Sequence, residues 1–275
     1  MINLKIAHHK LLLWILAAVI TISSAIYQRM TGPTYPKRGR VQFMEHKVSF
    51  KLLRSQYVEQ DIPIALTIPD TSITGYVKYR RYKSSDEWSS LPLQREGEKL
   101  IAHIPHRHQE AAGKLIYSIY LTKNDQTISL TGDDPIVLRF KGQVPAFVLV
   151  PHVLFMFLAM VFANRAGLEA LDERGRAYKY LLWTIGLFFI GGFILGPLVQ
   201  KYAFGALWTG WPLGKDLTDN KTLIAMLAWL WAWYKNRGGR QARGWIIFAA
   251  IMMLAVYLVP HSLLGSEIDY TKTVE

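Results

Sequence analysis

The chain has no cysteine among its 275 residues. Disulfides, Cys-ligated zinc, iron–sulfur clusters and a cysteine nucleophile are therefore excluded, and thiols say nothing about the redox compartment. Other signatures are missing as well. There is no Gly-rich phosphate loop, no Gly-x-Ser-x-Gly elbow, no His-Glu-x-x-His pair and no dinucleotide-binding fingerprint. No internal repeat of the secondary-transporter kind is visible. A formal net charge of +12 comes with no RNA- or DNA-binding motif, so nucleic acid is not the expected partner.

Apolar residues and rings are abundant instead. The hydrophobic share is 51%, with 9 Trp, 14 Tyr and 12 Phe, a load suited to rings settling at two membrane interfaces. The length leaves room for one soluble domain of roughly 100 residues and a small helical bundle. Five apolar stretches stand out: Leu11 to Tyr27, Val144 to Phe162, Tyr180 to Gln200, Leu217 to Tyr234 and Trp245 to Val259. Each is near the roughly 20 residues that cross a bilayer, and the last two are short. The lipid bilayer is thus the first expected partner.

Charge in the short loops sets the orientation. With a cytoplasmic N-terminus, segments 1–10, 164–180 and 235–243 lie inside and carry ten Lys and Arg, while 201–221 and 261–275 lie outside and carry four. The expected location is a bacterial-type plasma (inner) membrane, with residues 28–142, the 201–221 loop and the C-terminus extracytoplasmic. Residues 1–27 read as a transmembrane anchor, or as a signal peptide, since Lys5, Lys10, the apolar run and Ser23/Ala25 fit both. Residues 143–275 form the remaining four-helix membrane domain.

Between the first two stretches, period-two runs recur at Val48–Leu53, Ile62–Ile68, Gly75–Tyr82, Lys99–His103, Leu115–Leu121 and Ile136–Phe140. Turn signals such as Pro69-Asp70 and Lys123-Asn124-Asp125 separate them. Six or seven such strands argue an all-β sandwich. The order of signals, from Val77–Tyr82 through Trp88 to Leu100–Pro105 and Gly113–Leu121, resembles fibronectin type III and related immunoglobulin-like modules. That resemblance covers residues 43–142 and implies fold, not activity. Over residues 28–142, 18 Lys and Arg face 12 Asp and Glu, a mild attraction to acidic partners. His103, His106 and His108 could ligate copper or zinc, although Pro105 breaks the run and a solvated basic loop is the plainer account.

The unusual membrane residues collect at one expected level, the outer face. Asp216 suits the N-cap of the fourth stretch and Asp219 its first turn. Trp208 and Trp211 suit interfacial anchors, and Lys221 can snorkel from a short helix. Together with Asn220 and Thr218, this is more polarity than a cap requires, which fits a loop lining a polar site. His152, inside an apolar stretch, shares a helical face with Met156 and Met160, a set suiting copper, while imidazole alone suits haem iron. His261 follows Pro260 and could share a metal with His152, or join Asp216, Asp219 and Glu267 in a cluster. Three readings follow: a non-catalytic accessory or partner-binding subunit of a membrane complex, a metal or haem redox protein using His152 and His261, and a membrane enzyme acting on a lipid or envelope precursor.

Overall fold

The computed structural model describes residues 2–106, 109–173, 175–260, 265 and 267–272, with side chains from Lys10 onward in the first helix. His108, His261 and Ser262 lie outside the described residues. The chain divides into a helical unit, Met1–Pro33 with Val144–Gly265, and a β unit, Thr34–Gln143 with Ser266–Glu275.

The helical unit holds α1 (Ile2–Thr31), α2 (Ala146–Ala170), α3 (Ala177–Phe188), α4 (Gly196–Phe204), α5 (Leu217–Asn236) and α6 (Arg243–Leu258). A π-helical segment, Phe189–Leu195, joins α3 to α4, so Ala177–Phe204 forms one rod. Pro197 accounts for the slip. It has no N–H, and its ring would meet the carbonyl four residues back, so the ladder widens before it.

Burial in this unit runs against the habit of soluble proteins. Small residues are inside: Ala159, Ala163, Ala166 and Ala170 on α2, Ala225 and Ala232 on α5, Ala249 and Ala250 on α6. Many large apolar residues point out, including Ile22 and Ile26 on α1, Val150 and Leu154 on α2, Leu227 on α5 and Ile251 on α6, while Leu181, Phe188, Trp229 and Ile246 fill the centre. Lipid tails solvate such side chains, so close approach of small faces drives packing instead. A Cβ on Gly167 would stand 2.7 Å from that of Ala250, which shows how near α2 and α6 come. Three rods, Lys10–Thr31, Ala146–Ala170 and Ala177–Phe204, are long and apolar enough to cross a membrane; α6 is shorter.

Polar groups tie α1 into this bundle. Thr21 and Ser24 are buried, and Asn164 Nδ2 donates to Thr21 Oγ1 at 3.0 Å. Beside them Arg165, with no exposed surface, pairs with Glu169 one turn on. Its guanidinium lies 5.5 Å from the Trp14 ring and 4.5 Å from Tyr180. None of its nitrogens makes a regular hydrogen bond, so the carboxylate and two ring faces offset its desolvation. Glu169 also accepts from the Arg176 N–H at 2.9 Å, which anchors the α2–α3 turn.

Among the described residues the β unit has eleven strands: β1 (Lys37–Phe43), β2 (His46–Leu52), β3 (Ser55–Tyr57), β4 (Ile62–Thr67), β5 (Thr74–Arg81), β6 (Ser89–Pro92), β7 (Gln94–Glu96), β8 (Lys99–Ile104), β9 (Lys114–Lys123), β10 (Gln126–Ser129) and β11 (Ile136–Lys141). One sheet runs β3-β11-β9-β5-β6 with β10 on β9, a second runs β4-β8-β7, and β1 pairs with β2. Alternating residues from all three meet in one core, among them Val48, Ile62, Leu66, Val77, Leu100, Ile119 and Leu138. β1, whose segment Lys37-Arg38-Gly39-Arg40 is too basic for the period-two pattern, forms because Gly39 admits the Phe50 ring of β2.

Removing Arg165 strands Glu169 as a buried charge. Arg165→Met is expected to cost about 3–5 kcal/mol in unfolding experiments in detergent, and Arg165→Met/Glu169→Leu distinctly less. Equal losses in the two variants would show that the pair is not coupled.

Candidate functional site

The segment between α4 and α5 explains most of its own polarity. α4 ends at Gly205, whose φ of 86° supplies the left-handed cap. The following loop folds back on the first turn of α5. Asp216 is the N-cap of α5 and accepts from Thr218 N–H at 2.7 Å, as the sequence leads one to expect. Asp219 faces the loop: its Oδ2 accepts from Thr209 N–H at 2.7 Å, Gly210 N–H at 3.0 Å and Thr209 Oγ1 at 3.3 Å. Asn220 Oδ1 accepts from Trp211 N–H at 2.6 Å. Gly210 is required here, since a Cβ would lie 2.5 Å from that of Asp219.

Trp208 and Trp211 then separate in role. Trp208 stacks on Phe193 at 6.0 Å between centroids and donates its indole N–H to Trp211 O. Trp211 and Leu213 are both largely exposed, at 68% and 78%. The tip of this loop is apolar and open, while Asp216, Asp219 and Asn220 at the start of α5 are turned to main-chain N–H groups.

Lys221 and His152 follow the same rule. Lys221 is buried, and its Nζ donates to Val259 O at 2.6 Å, just past the end of α6. Gln28 of α1 donates to Tyr257 O at 2.7 Å. Two side chains from two helices thus complete the carbonyls that α6 leaves open before Pro260, and the ammonium meets the negative end of that helix. His152 Nδ1 donates to Gly191 O at 2.9 Å, a carbonyl in the wide π turn that also accepts from Gly196 N–H. This bond fixes the tautomer with the proton on Nδ1, leaving Nε2 as the nitrogen that a metal would use. Met156 packs on Gly191 through its Sδ and side-chain carbons. At the other end of α5, Asn236 Nδ2 donates to Ala232 O and Ala242 O and so closes the α5–α6 hairpin.

Among the described residues no three His, Asp or Glu side chains gather as a metal site needs. Asp216, Asp219, Asn220 and Lys221 are neighbours but serve different main-chain groups. Sequence reasoning missed Gln28, Asn164, Arg165 and Glu169. Arg165 entered only as loop charge, although the spacing of Arg165 and Glu169 on an apolar helix was a signal for a buried pair.

Glu267 belongs to the β unit. Its carboxylate is clasped by Lys83 and Lys114. Burial alone would raise its pKa, but the two ammonium groups more than offset that and hold it below the usual glutamate range. Three residues on, the Tyr270 ring lies 4.5 Å from the Arg81 guanidinium, itself held in a two-point pair by Asp86 at 2.6 and 2.8 Å. Of the histidine triplet, His106 is bonded to Asp61 through Nδ1 at 2.6 Å, and His103 points to solvent. Comparisons with protein-family models, curated proteins and solved structures find no match for this chain.

A carboxylate whose folded pKa is lowered contributes stability above its unfolded value, and loses it as pH falls through the folded one. The 267–272 tail is therefore expected to stay docked at neutral pH and to become protease-sensitive only when the pH falls below the usual glutamate range. In Glu267→Gln the tail should be loose at neutral pH already, with no further release on acidification; a tail equally protected in both proteins at all pH values would refute the clasp.

Proposed function

We propose that this chain is a non-catalytic membrane protein of a bacterial-type envelope, an accessory subunit whose β unit binds a protein partner and whose helices anchor it in a membrane complex. One observation carries the reading. Asp216, Asp219, Asn220, Lys221 and His152, the polar side chains that stand out in the membrane half, are each bonded to main-chain groups of their own unit. Their chemistry goes into building the bundle.

The chain path supports five crossings. It leaves the helical unit after residue 33, returns at 144 and leaves again after 265. A folded β unit stays out of hydrocarbon, so segment 144–265 begins and ends on one side and crosses an even number of times. With α2 and the Ala177–Phe204 rod as two of these, α5 and α6 must both cross or both stay. Exposed Ile224, Leu227 and Leu230 on α5, with Phe248 and Ile251 on α6, favour crossing. At 16 residues α6 spans about 24 Å, which local thinning or snorkelling accommodates. The ten-to-four charge bias then favours an N-terminus in the cytoplasm and a β unit outside. The buried contacts of Thr21 and Gln28 favour α1 as a retained span. Three sheets that share one apolar core, two of them larger, are in keeping with the immunoglobulin-like reading of residues 43–142.

Purification of the full chain from its native membrane in mild detergent should yield co-migrating subunits in fixed ratio. A monodisperse monomer with no companion at any detergent concentration would overturn the proposal.

A further inference from the structure

Strand alternation puts Val77 and Tyr79 of β5, and Leu115, Tyr117, Ile119 and Leu121 of β9, against the core of the β unit. The opposite face therefore carries Tyr76, Lys78 and Arg80 on β5. Register sets Tyr76 beside Tyr120, Lys78 beside Ser118 and Arg80 beside Ile116. Tyr76 and Tyr120 stack at 5.0 Å with an interplanar angle of 14°. Lys78 Nζ stands 6.0 and 5.8 Å from their centroids, and the Arg80 guanidinium lies 4.8 Å from that of Trp88, which is 41% exposed.

The same row continues into the clasp that holds the tail. Tyr82, next outward after Arg80, donates its N–H to Lys114 O at 2.9 Å. The Lys83 and Lys114 ammonium groups lie 5.8 and 5.6 Å from the Tyr82 ring and grip Glu267 between them. Tyr270 is covered by Arg81. One end of this face thus holds the Glu267 carboxylate of the segment Glu267-Ile268-Asp269-Tyr270 between two cations that stand on a ring, while Tyr270 meets Arg81, which register sets beside the core residue Leu115 on the other side of β5. The neighbouring pairs are built alike and lack the acid. Asp86 serves Arg81 and Glu267 serves the two lysines. Among the described residues no ion pair includes Lys78 or Arg80, and Arg80 Nε is buried without a hydrogen bond.

We propose that the Tyr76–Lys78–Arg80–Trp88 face is a docking surface for an acidic, aromatic-bearing segment of a partner protein, seated beside this chain's own tail and in the same manner. The inference rests on the partner-binding reading above and names the partner's chemistry. Cations already placed on rings lose little freedom when a carboxylate arrives, and an acid between two of them gains charge-assisted bonds. A peptide is favoured over a glycan or a lipid surface because the occupant seen on this face is a peptide.

The test uses the full chain in phosphatidylcholine nanodiscs and a fluorescent peptide with two copies of Glu-Ile-Asp-Tyr. Binding should appear at low salt and weaken at physiological salt. It should fall about tenfold or more for the Gln-Ile-Asn-Tyr version and for Lys78→Gln/Arg80→Gln. Lys47→Gln/Lys51→Gln removes the same charge from the exposed side of β2 and should leave binding unchanged. The inference fails if both double variants lose binding equally, if the neutral peptide binds as well, or if an acidic polysaccharide or phosphatidylglycerol vesicles bind the wild type more tightly than the peptide does. If Lys78→Gln/Arg80→Gln still co-purifies with its subunits, the accessory reading stands and this surface is not the one it uses; if no subunits co-purify with the wild type, the reading itself has failed.

Discussion

In hydrocarbon a main-chain N–H or C=O that loses its helical partner has no water to turn to, and leaving it bare costs several kcal/mol. Among the described residues the helical unit meets this constraint at four irregular places. The wide π turn has His152 on Gly191 O. The end of α6 has Lys221 on Val259 O and Gln28 on Tyr257 O. The returning loop has Asp219 and Asn220 on the N–H groups of Thr209, Gly210 and Trp211. The α5–α6 hairpin has Asn236 across both ends.

Packing follows from the same solvent. Because lipid removes the gain from burying large apolar side chains, the bundle turns many of them outward and brings alanine and glycine faces together around a few large residues such as Trp229 and Phe188. The buried charge Arg165 is tolerated there because Glu169 and the faces of Trp14 and Tyr180 surround it. The β unit obeys water's rules instead: apolar residues alternate into one core, and cations stand on rings at the surface.

Much of this organisation is legible in the sequence. Apolar runs mark every rod, since length and composition alone define a membrane span, and period two marks the longer strands. Short strands such as Ser55–Tyr57 and Gln94–Glu96 are not legible, because three residues carry no period. Asp216 as a cap could be read from its place before an apolar run. Asp219 and Lys221 could be noticed but not assigned: their partners are main-chain atoms, and a carbonyl left open by a π turn or a terminal proline has no letter in the sequence. Glu267, grouped by sequence with the membrane carboxylates, is held by two lysines more than 150 residues away along the chain. Only the fold brings that clasp together.

The main-chain role of these polar residues is tested most directly at Asp219, where one carboxylate oxygen holds two loop amides. Hydrogen exchange of the full chain with Asp219→Leu should show lost protection at Thr209 and Gly210, spreading to Trp211, while α2 and α6 exchange as in the wild type. Unchanged protection of these amides would mean that Asp219 is not what holds the loop, and its buried carboxylate would then need a different explanation.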